Sequence, residues 1–185
     1  MATDGEIFRN SVREPQDFEE IFERHAASVW NYARRRVGSD AAEDVVADAF
    51  LIAFARRASF DPSYDSARPW LFGIATNVIR RRLRDERAYL TAMGRDFDPS
   101  TADPAEDVSG LDAQRIRPVL TAALMSLSSD DRETFMLVAV GELTYGETAA
   151  ALRIPVGTVR SRMHRVRTLL RERIPELPAI DDGGE

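Results

Sequence analysis

The sequence predicts an all-α protein: two small helical domains joined by a flexible acidic linker. Three observations carry this prediction. Apolar residues recur at three-and-four spacing along most of the chain. Strand signals are scarce. Residues 94–112, GRDFDPSTADPAEDVSGLD, break the helical pattern with Asp, Pro, Ser and Gly and little periodicity, which is the composition of a tether. Each flanking module has roughly 60 to 80 residues, too few for a deep core, so a partner is expected to steady it.

Residues 1–14 read as an N-terminal tail, and the first module as 15–92. From Phe18, the positions Ile21, Phe22, His25, Val29, Tyr32 and Ala33 form a buried helical stripe; Asp17 is placed to cap that helix and Gly38 to end it. A second helix is expected from about Ala41 to Arg57, with Val45, Ala49, Phe50, Ala53 and Phe54 inward. SFDPSYDSARP (59–69) reads as a loop because of its two Pro and its Asp and Ser. A third helix begins near Trp70 and carries Leu71, Ile74, Val78 and Leu83 into the arginine run Arg80, Arg81, Arg82 and Arg84. With 93–113 as linker, the second module (114–174) shows helical patterns near 114–126, 129–140, 144–152 and 156–173, before an acidic tail at 175–185.

The chain has 185 residues, with 25 Arg, no Lys and no Cys, and a net charge of −6. The lack of Cys excludes a disulfide scaffold, a Cys-based zinc site and a thiol nucleophile. The polar, acidic start and the absence of any long apolar run predict no leader and no membrane insertion, with the cytoplasm as the default location. A negative total speaks against a polyanion partner, but the charge is segmented. Residues 55–94 hold eight Arg against four acids and 141–174 seven against three, whereas 1–54, 95–140 and 175–185 are acidic. Each basic block is a candidate polyanion site.

The most informative stretch is TYGETAAALRIPVGTVRSRMHRVRTLLRERI (144–174). A short helix, a turn at Arg153-Ile154-Pro155 and a longer basic helix make a helix-turn-helix pattern. Val159, Met163, Val166 and Leu170 take the buried face, leaving Thr158, Arg160, Ser161, Arg162, His164, Arg165 and Arg167 largely exposed. Such a helix suits the major groove, where Arg bonds guanine and Ser or Thr bonds phosphates or bases. With no second His or Cys nearby, His164 is no metal ligand, and no metal or cofactor is expected.

LTYGETAAALRIPVGTVRSRMHRVR resembles region 4 of bacterial extracytoplasmic-function (ECF) sigma factors, the sigma-70 group reduced to regions 2 and 4, and ALMSLSSDDRETFMLVAVGEL resembles the leading helices of that region. Ser128 stands where the family often has Pro, and Gly146 and Thr148 where Glu and Ile are commoner. DAAEDVVADAFLIAFARRASF (40–60) is similar to region 2.2, and ARPWLFGIATNVIRRRLR (67–84) to regions 2.3 and 2.4, with Arg81 where many relatives have Asp. Together the two modules occupy about three quarters of the chain in the family's order.

The resemblance implies an alternative sigma factor: a specificity subunit without catalytic residues of its own, which binds core RNA polymerase and directs initiation at promoters. Asp40, Glu43, Asp44 and Asp48 share a helix face, and the family reading makes them a docking face for the beta-prime clamp helices, with region 4 meeting the beta flap. Acidic charge there complements a basic partner and speeds encounter. Holding single-stranded DNA needs a basic groove and places for bases. The resemblance gives this minus-10 role to Phe60, Tyr64, Arg68, Asn77, Arg80, Arg81 and Arg84, and the minus-35 role to the helix at 156–173; Trp70 reads as a structural anchor. An anti-sigma factor is an expectation of the family. The linker acids Asp96, Asp98, Asp103, Glu106, Asp107 and Asp112 either imitate nucleic acid in a polymerase channel or form a solvated tether. Alternatives are a stand-alone helix-turn-helix regulator of operator DNA, a phosphodiesterase using Asp44 and Asp48, and a protein that only sequesters another regulator.

Overall fold

A computed structural model of the chain describes residues 2–95 and 113–175. The linker acids at 96–112 and the tail beyond Pro175 lie outside the described residues. Among those described there are eight α-helices and no strand: α1 Asp4–Ser11, α2 Glu19–Val37, α3 Ser39–Ala55, α4 Arg68–Ala92, α5 Ala113–Ser126, α6 Ser129–Ala139, α7 Tyr145–Leu152 and α8 Val156–Arg173.

The all-α class holds, with three local departures. Residues 4–11, read as tail, form α1, started by a capping box in which the Thr3 hydroxyl accepts from the Glu6 N–H and the Glu6 carboxylate accepts from the Thr3 N–H. Asp17 does not cap α2, because it sits inside a 3-10 turn spanning Pro15–Phe18 and Phe18 takes the cap position. α4 starts at Arg68 with Pro69 in its first turn, where a missing N–H costs nothing, and runs 25 residues. Gly38, at φ 79°, ends α2 and opens α3 in one residue.

The first module buries Ile21, Val29, Tyr32 and Ala33 of α2 against Val45, Ala49 and Ala53 of α3 and Leu71, Phe72, Ala75 and Ile79 of α4. The Tyr32 hydroxyl, fully inside, is matched by the Thr76 hydroxyl at 2.9 Å. In the second module, Val159, Met163, Val166 and Leu170 of α8 close on Leu124, Met136 and Leu137, the face assigned by spacing. The modules also pack on each other. α4 and α7 approach so closely that a Cβ added at Gly73 would stand 2.6 Å from the Ala151 carbonyl oxygen. Beside this crossing the Arg68 guanidinium donates to the Gly141 carbonyl at 2.8 Å.

Candidate nucleic-acid interface

The helix-turn-helix is built by local rules. Thr144 and Glu147 form a capping box that starts α7. Arg153 ends it in the left-handed region at φ 56°, and Pro155, extended at φ −61° and ψ 145°, launches α8. On α8 the side chains of Arg160, Ser161, His164 and Arg165 are exposed, and Thr158 and Arg162 are half-buried. Ser161 spends its hydroxyl proton on the Thr158 carbonyl at 3.0 Å.

Arg167 departs from the expected exposure. It is buried, its guanidinium donates to the Tyr145 hydroxyl of α7, and its role is to join the two helices rather than to face solvent.

Two of the α8 arginines expected to face DNA are paired with carboxylates within the chain. Arg165 grips Asp131 at the start of α6 through Nε at 3.3 Å and Nη2 at 2.6 Å. Burial pushes the Asp131 carboxyl up, but the Arg165 and Ser128 hydrogen bonds outweigh it and hold the group below the usual carboxylate range. Arg162 reaches Asp130 Oδ2 at 2.5 Å. Asp130 also faces the first module, with its Oδ1 3.6 Å from Arg80 of α4. One turn of α6 further in, the buried Glu133 carboxylate lies between Arg80, which contacts it, and Arg36 of α2 at 3.7 Å. The hydrogen-bonded Glu133 raises the Arg80 guanidinium above its ordinary value. Asp130, Asp131 and Glu133 were not singled out by sequence; in the structure Ser128 caps α6, and acids in the first turn of a helix also complement its dipole.

The 59–69 segment divides. Phe60 is a second correction: it is 7% exposed, stacks on Phe8 at 4.3 Å and meets Trp70 edge-on at 5.4 Å, so it is core and offers no platform to a base. Trp70 anchors the same cluster. Tyr64, 58% exposed, is the aromatic that faces outward. Arg68 is half-buried at the junction with Gly141. Along α4, Asn77, Arg81 and Arg84 follow one another at spacings of four and three on one exposed face, with Arg81 in a loose pair with Asp85 at 3.7 Å.

Asp40, Glu43, Asp44 and Asp48 all lie on the exposed face of α3, where Asp44 accepts from Arg82 of α4 at 3.0 Å. Beside them a groove of about 980 Å³ runs between α3 and α4, lined among others by Asp48, Leu51, Ile52, Val78 and Tyr89. Leu51 is 68% exposed in this groove, an apolar feature that the acidic reading of the helix passed over. Among the described residues, no three or more His, Cys, Asp or Glu converge as a metal site, and no helix is long and apolar enough to cross a membrane.

The sequence matches the family model for sigma-70 region 2 over residues 21–89 and that for sigma-70 region 4 over residues 118–170. The chain is 34% identical over 173 residues to the RNA polymerase sigma factor CarQ of Myxococcus xanthus, covering 93% of this chain and 96% of the relative. It is 32% identical over 160 residues to the ECF RNA polymerase sigma factor SigL of Mycobacterium tuberculosis, covering 85% and 88%. Among solved structures, the sigma factor RpoE bound to the anti-sigma factor NepR, from Bartonella quintana, superposes with a TM-score of 0.70 at 26% identity, over 88% of this chain and 99% of that one. CnrH in complex with the cytosolic domain of CnrY shares the fold, with a TM-score of 0.65 at 24% identity over 91% and 95% of the two chains. With both regions present in order, and relatives matched along nearly their whole length, the chain belongs to the extracytoplasmic-function sigma factors of the sigma-70 family.

Proposed function

We propose that this sigma factor divides promoter recognition between its two modules as follows. Residues 15–92 dock on the beta-prime clamp helices of core RNA polymerase through Asp40, Glu43, Asp44 and Asp48, and hold the minus-10 strand with Tyr64, Arg68, Asn77, Arg80, Arg81 and Arg84. Residues 114–174 sit on the beta flap and present Thr158, Arg160, Ser161, Arg162, His164 and Arg165 to the minus-35 major groove. The protein acts by positioning DNA and polymerase, and the bond-forming chemistry belongs to the polymerase.

The observation that carries this reading is the placement of exposed Arg on two separate elements, α4 and α8, in a chain that holds regions 2 and 4 in order. A stand-alone regulator needs only the helix-turn-helix and leaves the exposed face of α4 unused. An arginine on a groove-facing helix supplies a bidentate contact to guanine or a phosphate contact, and Tyr64 supplies a stacking face for an unpaired base. In the described arrangement Arg80, Arg162 and Arg165 bond to α6 carboxylates, so DNA must displace Asp130, Asp131 and Glu133 from them. The two structural neighbours carry anti-sigma partners or a partner's cytosolic domain, and a partner of that kind is the expectation for this chain.

Run-off transcription with core polymerase on a genomic promoter library tests the proposal. Initiation at a defined promoter set, with weak duplex binding until core is added, is the expected result. Tight binding to duplex operators without polymerase, and no initiation at any site, points to the regulator instead.

A further inference from the structure

Helix α1 lies outside the span matched to region 2, yet its contacts converge on the loop that carries Tyr64. The Asp4 N–H donates to the Asp65 carbonyl at 3.2 Å, and Asp4 Oδ2 accepts from the Ala67 N–H at 2.8 Å, fixing the loop's far end. The same carboxylate faces His25 Nε2 at 2.7 Å and accepts from Arg24 at 2.9 Å, which ties it to α2. Phe8 stacks on Phe60 and fixes the near end. Between these anchors the loop backbone lies directly on Gly5. A methyl there would collide with the Pro62 carbonyl oxygen and stand 2.9 Å from that of Tyr64.

A loop rich in Asp, Pro and Ser with no such support would sample many paths and would lose that freedom on binding a strand. We propose that α1 is the positioning element of minus-10 recognition: Asp4 and Gly5 set the path of residues 60–67, and with it the direction in which Tyr64 and Arg68 meet the DNA. The inference rests on the proposed minus-10 role of this loop.

The test is run-off selection with the full chain and core RNA polymerase on a promoter library randomised in both the minus-10 and minus-35 elements. Gly5→Ala moves the loop without weakening α1, since Ala is the better helix former. It is expected to reduce base discrimination at minus-10 by roughly tenfold, about one mismatched base's worth, with the minus-35 preferences and core affinity unchanged. Asp4→Asn, equal in volume, should give the same pattern. A minus-10 profile like that of the unsubstituted chain, or an even loss across both elements, overturns the proposal. If Gly5→Ala loses its cooperative melt, Asp4→Asn is read by the same criterion, and if neither variant folds, α1 is a structural brace and the proposal falls. Failure of the underlying reading looks different: the unsubstituted chain itself then selects no minus-10 sequence.

Discussion

Gly73 on α4 and Ala151 on α7 meet backbone to backbone, and the two modules are seated on each other by the side chain that Gly73 lacks. Gly73→Ala strengthens α4 as a helix by about 1 kcal/mol while its methyl runs into the Ala151 carbonyl. The expected outcome is separation of the modules with their helices intact. Small-angle scattering should show a larger radius of gyration at unchanged helical circular dichroism, and an unchanged radius would mean that the contact yields without opening.

Phe60 and Tyr64, four residues apart, should part company on substitution. Phe60→Ala leaves a hole between Phe8 and Trp70 and should cost about 3 to 5 kcal/mol in denaturant unfolding. Tyr64→Ala should leave the unfolding midpoint in place and reduce strand opening at minus-10, read by permanganate reactivity of promoter thymines. Equal effects on stability would remove the distinction.

Arg165 and Arg167 separate in the same way. Arg165→Ala is expected to weaken promoter binding by roughly 1 to 3 kcal/mol if it contacts a base; if it contacts a phosphate, its prior pairing with Asp131 means that the salt slope should fall by less than the full unit expected of an unpaired arginine. Arg167→Ala breaks the link to Tyr145 and should appear first in the melting temperature. A loss of minus-35 specificity in Arg167→Ala at unchanged stability would contradict its placement.

Arg153 closes α7 in a backbone region that L residues with a Cβ enter at a cost of about 1 kcal/mol. Gly occupies that region freely, although it gives the unfolded chain more freedom. Arg153→Gly is expected to stabilise the second module by about 0.5 to 1 kcal/mol. A fall in its thermal midpoint would show that the Arg153 side chain contributes more than its backbone costs.

Asp4 gives stability a pH dependence of known sign. Burial raises its carboxyl, but hydrogen bonds from His25 and Ala67, with the His25 charge and Arg24, outweigh burial and bring it from 3.8 to about 2. A group lowered in the folded state stabilises fully above its unfolded value and loses that contribution as pH falls through the folded one. The contribution of Asp4, on the order of 2 kcal/mol, should therefore be complete above about pH 4 and disappear toward pH 2. Denaturant titrations of the unsubstituted chain and Asp4→Asn should converge across that window, and parallel curves would assign the dependence to other carboxylates.

The long elements were legible because their stripes bury within their own module: Val45, Ala49 and Ala53 on α3, and Val159, Met163, Val166 and Leu170 on α8, declare themselves by spacing alone. α1 could not, since eight residues with Ile7 and Phe8 side by side establish no period and their burial depends on a loop fifty residues away. Arg167 was misread although a signal existed: it follows Val166 and stands four residues after the buried Met163, at the border of the apolar stripe. Phe60 was misread because a loop aromatic offers no periodicity by which to tell core from surface. The pairings of Arg80 with Glu133 and Arg162 with Asp130 were beyond any local pattern, because they join positions about 30 to 50 residues apart and depend on tertiary packing.

The α6 carboxylates also affect how promoter binding should respond to salt. An arginine that meets a phosphate from solution releases counterions from the DNA, and the affinity falls steeply as salt rises. Arg80, Arg162 and Arg165 begin their exchange already neutralised by Asp130, Asp131 and Glu133, which act as counterions built into the chain. Under the proposed reading, each DNA contact made by these side chains would replace one anion by another and leave a carboxylate to be rehydrated. Stray duplex, which offers only phosphates, gains little from such a trade, whereas a promoter adds base contacts that repay it. If these arginines meet the promoter as proposed, selectivity against bulk DNA would be partly a property of α6, a helix outside the proposed reading surfaces.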